Sequence, residues 1–235
     1  MGGPGVSART FPRIEPRRSA GVRTWWARAV ASALEEAAYD PADLKKGAGL
    51  ARRGEVGQIE LDAGRVVAAV MERGDAFTVT VTVPVMDPDE AQAFAEVVGA
   101  GAGWVGSLLR GDVPASLDEA LEEAGVELLP YGGLSATCGC DSWVDPCRHG
   151  LAVLTQVAWL VEADPLVLLH LRGLERADLV ARLAGTAEEP ATASADWEGE
   201  LPDLEVAVEA AEQAAALLVD LLGTSPSKDV DDISF

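Results

Sequence analysis

Residues 56–85 read VGQIELDAGRVVAAVMERGDAFTVTVTVPV, and the change of period at their start decides the fold class. The runs Val56 to Leu61, Arg65 to Met71 and Phe77 to Val85 are rich in Val, Thr and Ile and are separated by Ala63-Gly64 and Gly74-Asp75. That is the pattern of a three-stranded antiparallel meander. In the third run Phe77, Val79, Val81, Val83 and Val85 alternate with Thr78, Thr80 and Thr82, so one face is expected to be buried. Pro84 cannot donate to a ladder, which places the strand at an edge or its end near there.

Upstream the period is helical. Val22, Trp25, Trp26, Ala29, Val30, Ala33, Leu34 and Ala37 recur at three and four. Asp40 and Pro41 are a cap and a first-turn residue for a second helix running to about Arg53. Residues Met1 to Gly21, rich in Gly, Pro and Arg, read as a flexible basic arm. Downstream, Asp87 and Pro88 open a helix carrying Ala91, Phe94, Ala95 and Val98, and a second follows around Trp104 and Leu108. Ser116 with Glu119 fits a capping box. The segments 126–129 and 134–138 look extended, and a strongly apolar helix starts at Arg148. Together these predict an α+β fold, a meander flanked by helices that leads through a cysteine knuckle into a helical C-terminal half.

All three cysteines fall within ten residues, in Cys138-Gly-Cys140-Asp-Ser-Trp-Val-Asp-Pro-Cys147-Arg-His149. The spacing is CxCx6CxH. Three thiols cannot pair off completely, so metal binding in a reducing compartment explains them better than a disulfide framework. Cys138 and Cys140 can share one face of an extended segment, with Gly139 letting the backbone curl, and Cys147 and His149 sit where helix amides favour thiolate. Three thiolates and an imidazole form a tetrahedral soft-donor set, for which one structural Zn2+ is the expected ion. Four protein ligands leave no open position, and no enzymatic activity is expected. Trp143, inside the loop, is expected to cover the small finger core, the alternative being a partner-binding surface. No metal role is expected for His170, and residues 99–106 are not a phosphate loop.

The knuckle followed directly by an apolar helix resembles the SWIM zinc finger, and the surrounding chain is similar to bacterial, often actinobacterial, SWIM-finger proteins. The resemblance rests on CxCx6CxH together with Trp25-Trp26, Ala51-Arg52-Arg53-Gly54, Asp164-Pro165-Leu166 and Leu171-Arg172-Gly173. It runs from about Trp25 to Leu183, and more loosely to Leu222. Members often carry Lys where this chain has Arg148, which keeps the charge. The resemblance implies action through protein or DNA contacts, often beside Snf2-family helicase ATPases.

Charge separates the two ends of the chain. The formal net charge is −21, yet residues up to Gly54 are net basic, while beyond Ala187 only Lys228 opposes thirteen acids. The expected function is a zinc-binding adaptor for a protein partner in a nucleic-acid-processing, Snf2-type helicase-associated assembly. The alternative is a DNA-binding module using the basic N-terminal region, with Lys45, Lys46, Arg52 and Arg53 at its centre, although these residues also suit a solvated face that balances the protein's own acids. No membrane contact and no small-molecule substrate are expected, and the absence of a long apolar run or leader pattern makes the expected location cytoplasmic. The expected organisation is an arm at 1–21, an α+β domain at 22–130, the finger and its helices at 131–184, a linker at 185–202, an amphipathic helix at 203–224 and an acidic tail at 225–235.

Overall fold

The computed structural model describes residues 8–130 and 132–187. Residues 1–7 of the expected arm, the linker from residue 188, the helix at 203–224 and the tail at 225–235 lie outside them. The described residues form an α+β unit with five strands and eight helices. The strands are β1 (Arg9–Phe11), β2 (Val56–Asp62), β3 (Arg65–Glu72), β4 (Asp75–Thr82) and β5 (Ser135–Cys138). The helices are α1 (Trp25–Ala37), α2 (Pro41–Arg52), α3 (Pro88–Ala100), α4 (Trp104–Arg110), α5 (Ala115–Glu123), α6 (Arg148–Ala163), α7 (Leu166–Leu171) and α8 (Arg176–Ala187). No helix among the described residues is long and apolar enough to cross a membrane.

The meander forms as expected but is the middle of something larger, a fully antiparallel sheet in the order β1-β2-β3-β4-β5. The β3–β4 turn is centred on Arg73 and Gly74, both at positive φ, the primed geometry whose twist matches a hairpin. Strand β4 is interior because β5 pairs with it, Val79 opposite Cys138 and Val81 opposite Ala136. Pro84 therefore marks the end of β4 rather than an edge. The edges are β1 and β5, and β1 pairs Thr10 with Glu60, so these arm residues belong to the sheet. Arg13 donates to the carbonyl of Gly54 at 2.6 Å, and the Arg17 guanidinium lies over the Trp159 ring at 4.6 Å. An arginine-rich composition hid a segment that is held by backbone pairing, by cation–π contact and by Phe11, Ile14 and Ala20 packed against the core at no regular spacing.

Helix α6 is the hub. Twelve of its sixteen residues are buried, which fits a helix covered on nearly every side. It packs against α1, α2, α7 and the sheet, so residues 22–130 and 131–184 share one core. Trp26 Nε1 donates to Val161 O at 2.9 Å, and Gln156 Nε2 donates to Ala51 O at 3.1 Å. At Gly47 a Cβ would stand 2.7 Å from Leu151 Cβ and 2.8 Å from Arg148 O, so the missing side chain lets α2 approach the first turn of α6.

The caps at Asp40 and Asp87 form as read. Asp40 accepts from Ala42 N–H, and Asp87 with Glu90 closes a full capping box. The box expected at Ser116 does not form: the N-cap is Pro114, two residues earlier, and it has no side-chain cap. Residues 126–129 join no strand, and α8 runs to Ala187, past the start expected for the linker.

Candidate metal centre

Strand alternation builds the floor of the site. Val66, Ala68 and Val70 of β3 face the core, and Glu72 is next in phase. Phe77 lies opposite Val70 across the ladder, and Val79 lies opposite Cys138. Glu72, Phe77 and Cys138 thus share the face on which α6 lies. The chain leaves β5 at Cys138, turns through Cys140, and returns to start α6 with Cys147 at its N-cap. The loop is tied back by Asp145, whose carboxylate accepts the Ala136 N–H at 2.5 Å. At Gly150 a Cβ would stand 2.8 Å from Ala136 Cβ, so the first turn of α6 can press against β5.

Cys138, Cys140, Cys147 and His149 come together. Their four donor atoms all lie within 4.8 Å of one another, an arrangement that can hold a metal ion. Cys138 Sγ is 3.5 Å from His149 Nδ1, and Cys140 Sγ is 3.6 Å from Cys147 Sγ. Cys147 and His149 are fully enclosed, while the first two cysteines are half-buried.

A second layer surrounds the imidazole. Glu72 Oε2 stands 3.0 Å from His149 Nε2, and as a carboxylate it accepts a hydrogen bond from Nε2–H, which leaves the Nδ1 lone pair directed at the sulfurs. The same carboxylate takes a forked pair of hydrogen bonds from Arg148, Nε at 2.9 Å and Nη2 at 2.8 Å. Phe77 stacks on the imidazole with ring centroids 4.5 Å apart. Neither Glu72 nor Phe77 was expected at the site from the sequence. The available signal was an acid falling in phase with three core positions of β3.

The electrostatics follow from this packing. Burial lowers the His149 pKa, which favours the neutral ring a metal needs, while the Arg148 hydrogen bonds hold the Glu72 carboxyl below its ordinary value of 4.5. Burial pushes the Cys138 thiol up to about 12 and raises Cys147 as well, with neighbouring sulfurs adding to both. The amides of Gly150 and His149 do point at Cys147 and oppose that rise. Burial outweighs them, so the helix start alone does not produce a thiolate. Gly139 is not at positive φ, and a Cβ there would meet no protein atom within 4 Å.

Trp143 does not cover the cysteine cluster. It is 80% exposed and its ring lies edge-on to Tyr39, with centroids 5.1 Å apart. His170 is in α7, outside the cluster, 3.9 Å from Glu175. Much of the basic N-terminal charge is engaged internally: Arg9 with Asp164, Lys46 with Asp43, Arg53 with Glu55, and Arg52 Nη1 with the Arg18 carbonyl.

No family model matches the chain, and no solved structure matches it. The chain is similar to the uncharacterized protein Rv2102 of Mycobacterium tuberculosis, with 29% identity over 182 residues that cover 76% of this chain and 65% of that relative. It thus spans about two thirds of the length of the relative it matches.

Proposed function

We propose that the protein is a non-enzymatic adaptor whose SWIM-type finger binds one structural Zn2+ through Cys138, Cys140, Cys147 and His149. The observation that carries this reading is the convergence of four soft donors from β5, the finger loop and the first turn of α6. Zn–S bonds of ~2.3 Å and a Zn–N bond of ~2.0 Å imply donor–donor edges of about 3.8 and 3.5 Å in a regular tetrahedron. The separations of 3.6 and 3.5 Å fit those edges. Zinc supplies the positive charge that makes three crowded sulfurs stable as thiolates, and the chain's own residues prepare for it. Glu72 fixes which imidazole nitrogen is presented, Phe77 fixes the ring plane, and Arg148 holds Glu72.

With all four donors from protein, the ion is a clasp. It ties the end of β5 to the start of the hub helix and orders the loop between Cys140 and Cys147, and a protein partner reads the surface so formed. By its SWIM resemblance the partner belongs to a nucleic-acid-processing assembly with a Snf2-type ATPase. The ion pairs of Arg9, Lys46 and Arg53 weigh against the DNA-binding alternative. Zinc analysis of reduced, full-length protein tests the site: one equivalent in the wild type and a clear loss in Cys147→Ser is the expected result, and no bound metal in the wild type overturns it. An electrophoretic shift titrated with salt tests DNA. Affinity that falls steeply with salt and disappears on replacing Arg52 and Arg53 would favour the alternative.

A further inference from the structure

We propose that Tyr39 and Trp143 form a docking site for an arginine-containing basic segment of a protein partner. The inference deepens the adaptor reading and rests on it. Trp143 is 80% and Tyr39 69% exposed, the two highest values among the exposed large hydrophobic residues described. Single exposed apolar residues are ordinary, but here two aromatic rings from distant segments meet outside the core at an interplanar angle of 71°. One comes from the turn between α1 and α2, and the other from the middle of the finger loop.

Charge identifies the occupant. The segments that carry the rings, residues 35–43 and 139–146, contain Glu35, Glu36, Asp40, Asp43, Asp141 and Asp145 and no basic residue. Asp40, Asp43 and Asp145 are engaged with Ala42 N–H, Lys46 and Ala136 N–H. Glu35, Glu36 and Asp141 are exposed and make no ion pair among the described residues. Such a surface repels phosphate, so nucleic acid is the wrong ligand. A second copy, with net charge −21, is repelled too, and residues 188–235 of this chain bring thirteen acids against Lys228 alone. A guanidinium fits, because it stacks flat on an indole face and forks to carboxylates, which an ammonium does less well.

The experiment uses the full chain and a labelled Gly-Arg repeat peptide, followed by fluorescence anisotropy at physiological salt, with Gly-Lys and Gly-Ser peptides for comparison. The expected result is a preference for Gly-Arg, weakened roughly tenfold in Trp143→Ala and less in Tyr39→Ala, with Glu122→Gln on α5 as an unaffected charge control. Both rings are exposed, so the variants should fold as the wild type does, which circular dichroism checks. Equal binding by wild type and Trp143→Ala, no binding by the wild type, or Trp143-dependent binding of single-stranded DNA or of a second copy would each overturn the proposal. Metal content is measured on the same samples. Protein that holds zinc but ignores the peptide sinks this inference and leaves the zinc site standing, whereas metal-free protein sinks the zinc site while peptide binding is still scored.

Discussion

The two ends of the sheet are closed by different chemistry. At one end, the β3–β4 turn and the end of β5 meet four metal-type donors, backed by Glu72, Arg148 and Phe77. At the other, the segment Leu171-Arg172-Gly173 closes over the β2–β3 turn using the chain's own groups. Gly64 N–H donates to Leu171 O at 2.7 Å, Met86 N–H donates to Arg172 O at 2.7 Å, and the Arg172 guanidinium donates to the Pro84 carbonyl. Arg172 is almost fully enclosed, and burial lowers its pKa, with Glu90 3.7 Å away as a partly compensating charge. The far end carries its closure in backbone and guanidinium hydrogen bonds. The cysteine end instead gathers three sulfurs and an imidazole that could hold a metal ion, with burial keeping Cys138 and Cys147 as thiols in its absence.

That difference predicts separable responses. The largest expected effect is Cys147→Ser, which should weaken zinc retention by more than the ~10–100-fold typical of losing an outer-shell partner. Competition with a chromogenic chelator measures it, and far-UV circular dichroism should show the sheet retained, because the core of α6 and the sheet does not include the ion. Global unfolding of that variant would erase the contrast. Arg172→Leu should do the reverse. It leaves the part-buried Pro84 carbonyl without its guanidinium partner, costing roughly 1–3 kcal/mol in urea unfolding, with zinc affinity unchanged.

Glu72→Gln comes next, with zinc affinity down about tenfold. It also carries a pH signature. A carboxyl held below its ordinary value contributes stability that is present above pH 4.5 and lost as the pH falls through the lower folded value. The variant should therefore show a flatter acid limb of stability against pH. The raised thiols have the opposite sign. Without metal, stability should hold below pH 9 and fall as the pH rises toward 12, while zinc uptake near neutral pH should release protons from Cys138 and Cys147, measurable by calorimetry in buffers of different ionisation heat. Gly139→Ala should be the smallest effect, within about 0.5 kcal/mol and with zinc retained, since its backbone conformation suits any residue and a Cβ meets open space.

Local chemistry makes much of this legible in the sequence. Alternating β-branched residues over 56–85, Asp-Pro helix starts at residues 40–41 and 87–88, and the apolar run after Arg148 each act within a few residues, so their elements can be read directly. The four candidate ligands were legible for the same reason, being two pairs of near neighbours. The segment around Arg9 was misread because an edge strand with few apolar residues has no periodic signal. Trp143 was misplaced because nothing in a twelve-residue motif tells whether its ring faces in or out.

Composition and short-range spacing were enough for the α+β class, the meander, the hub helix and the clustering of the four candidate ligands. Folding in three dimensions settled that Glu72, 77 residues before His149, selects the imidazole nitrogen, that β1 and β5 complete the sheet, and that Tyr39 meets Trp143. The physical reason is range. Strand period and helix caps depend on neighbours along the chain, whereas these partnerships depend on which strand faces which helix, and no single segment carries that information.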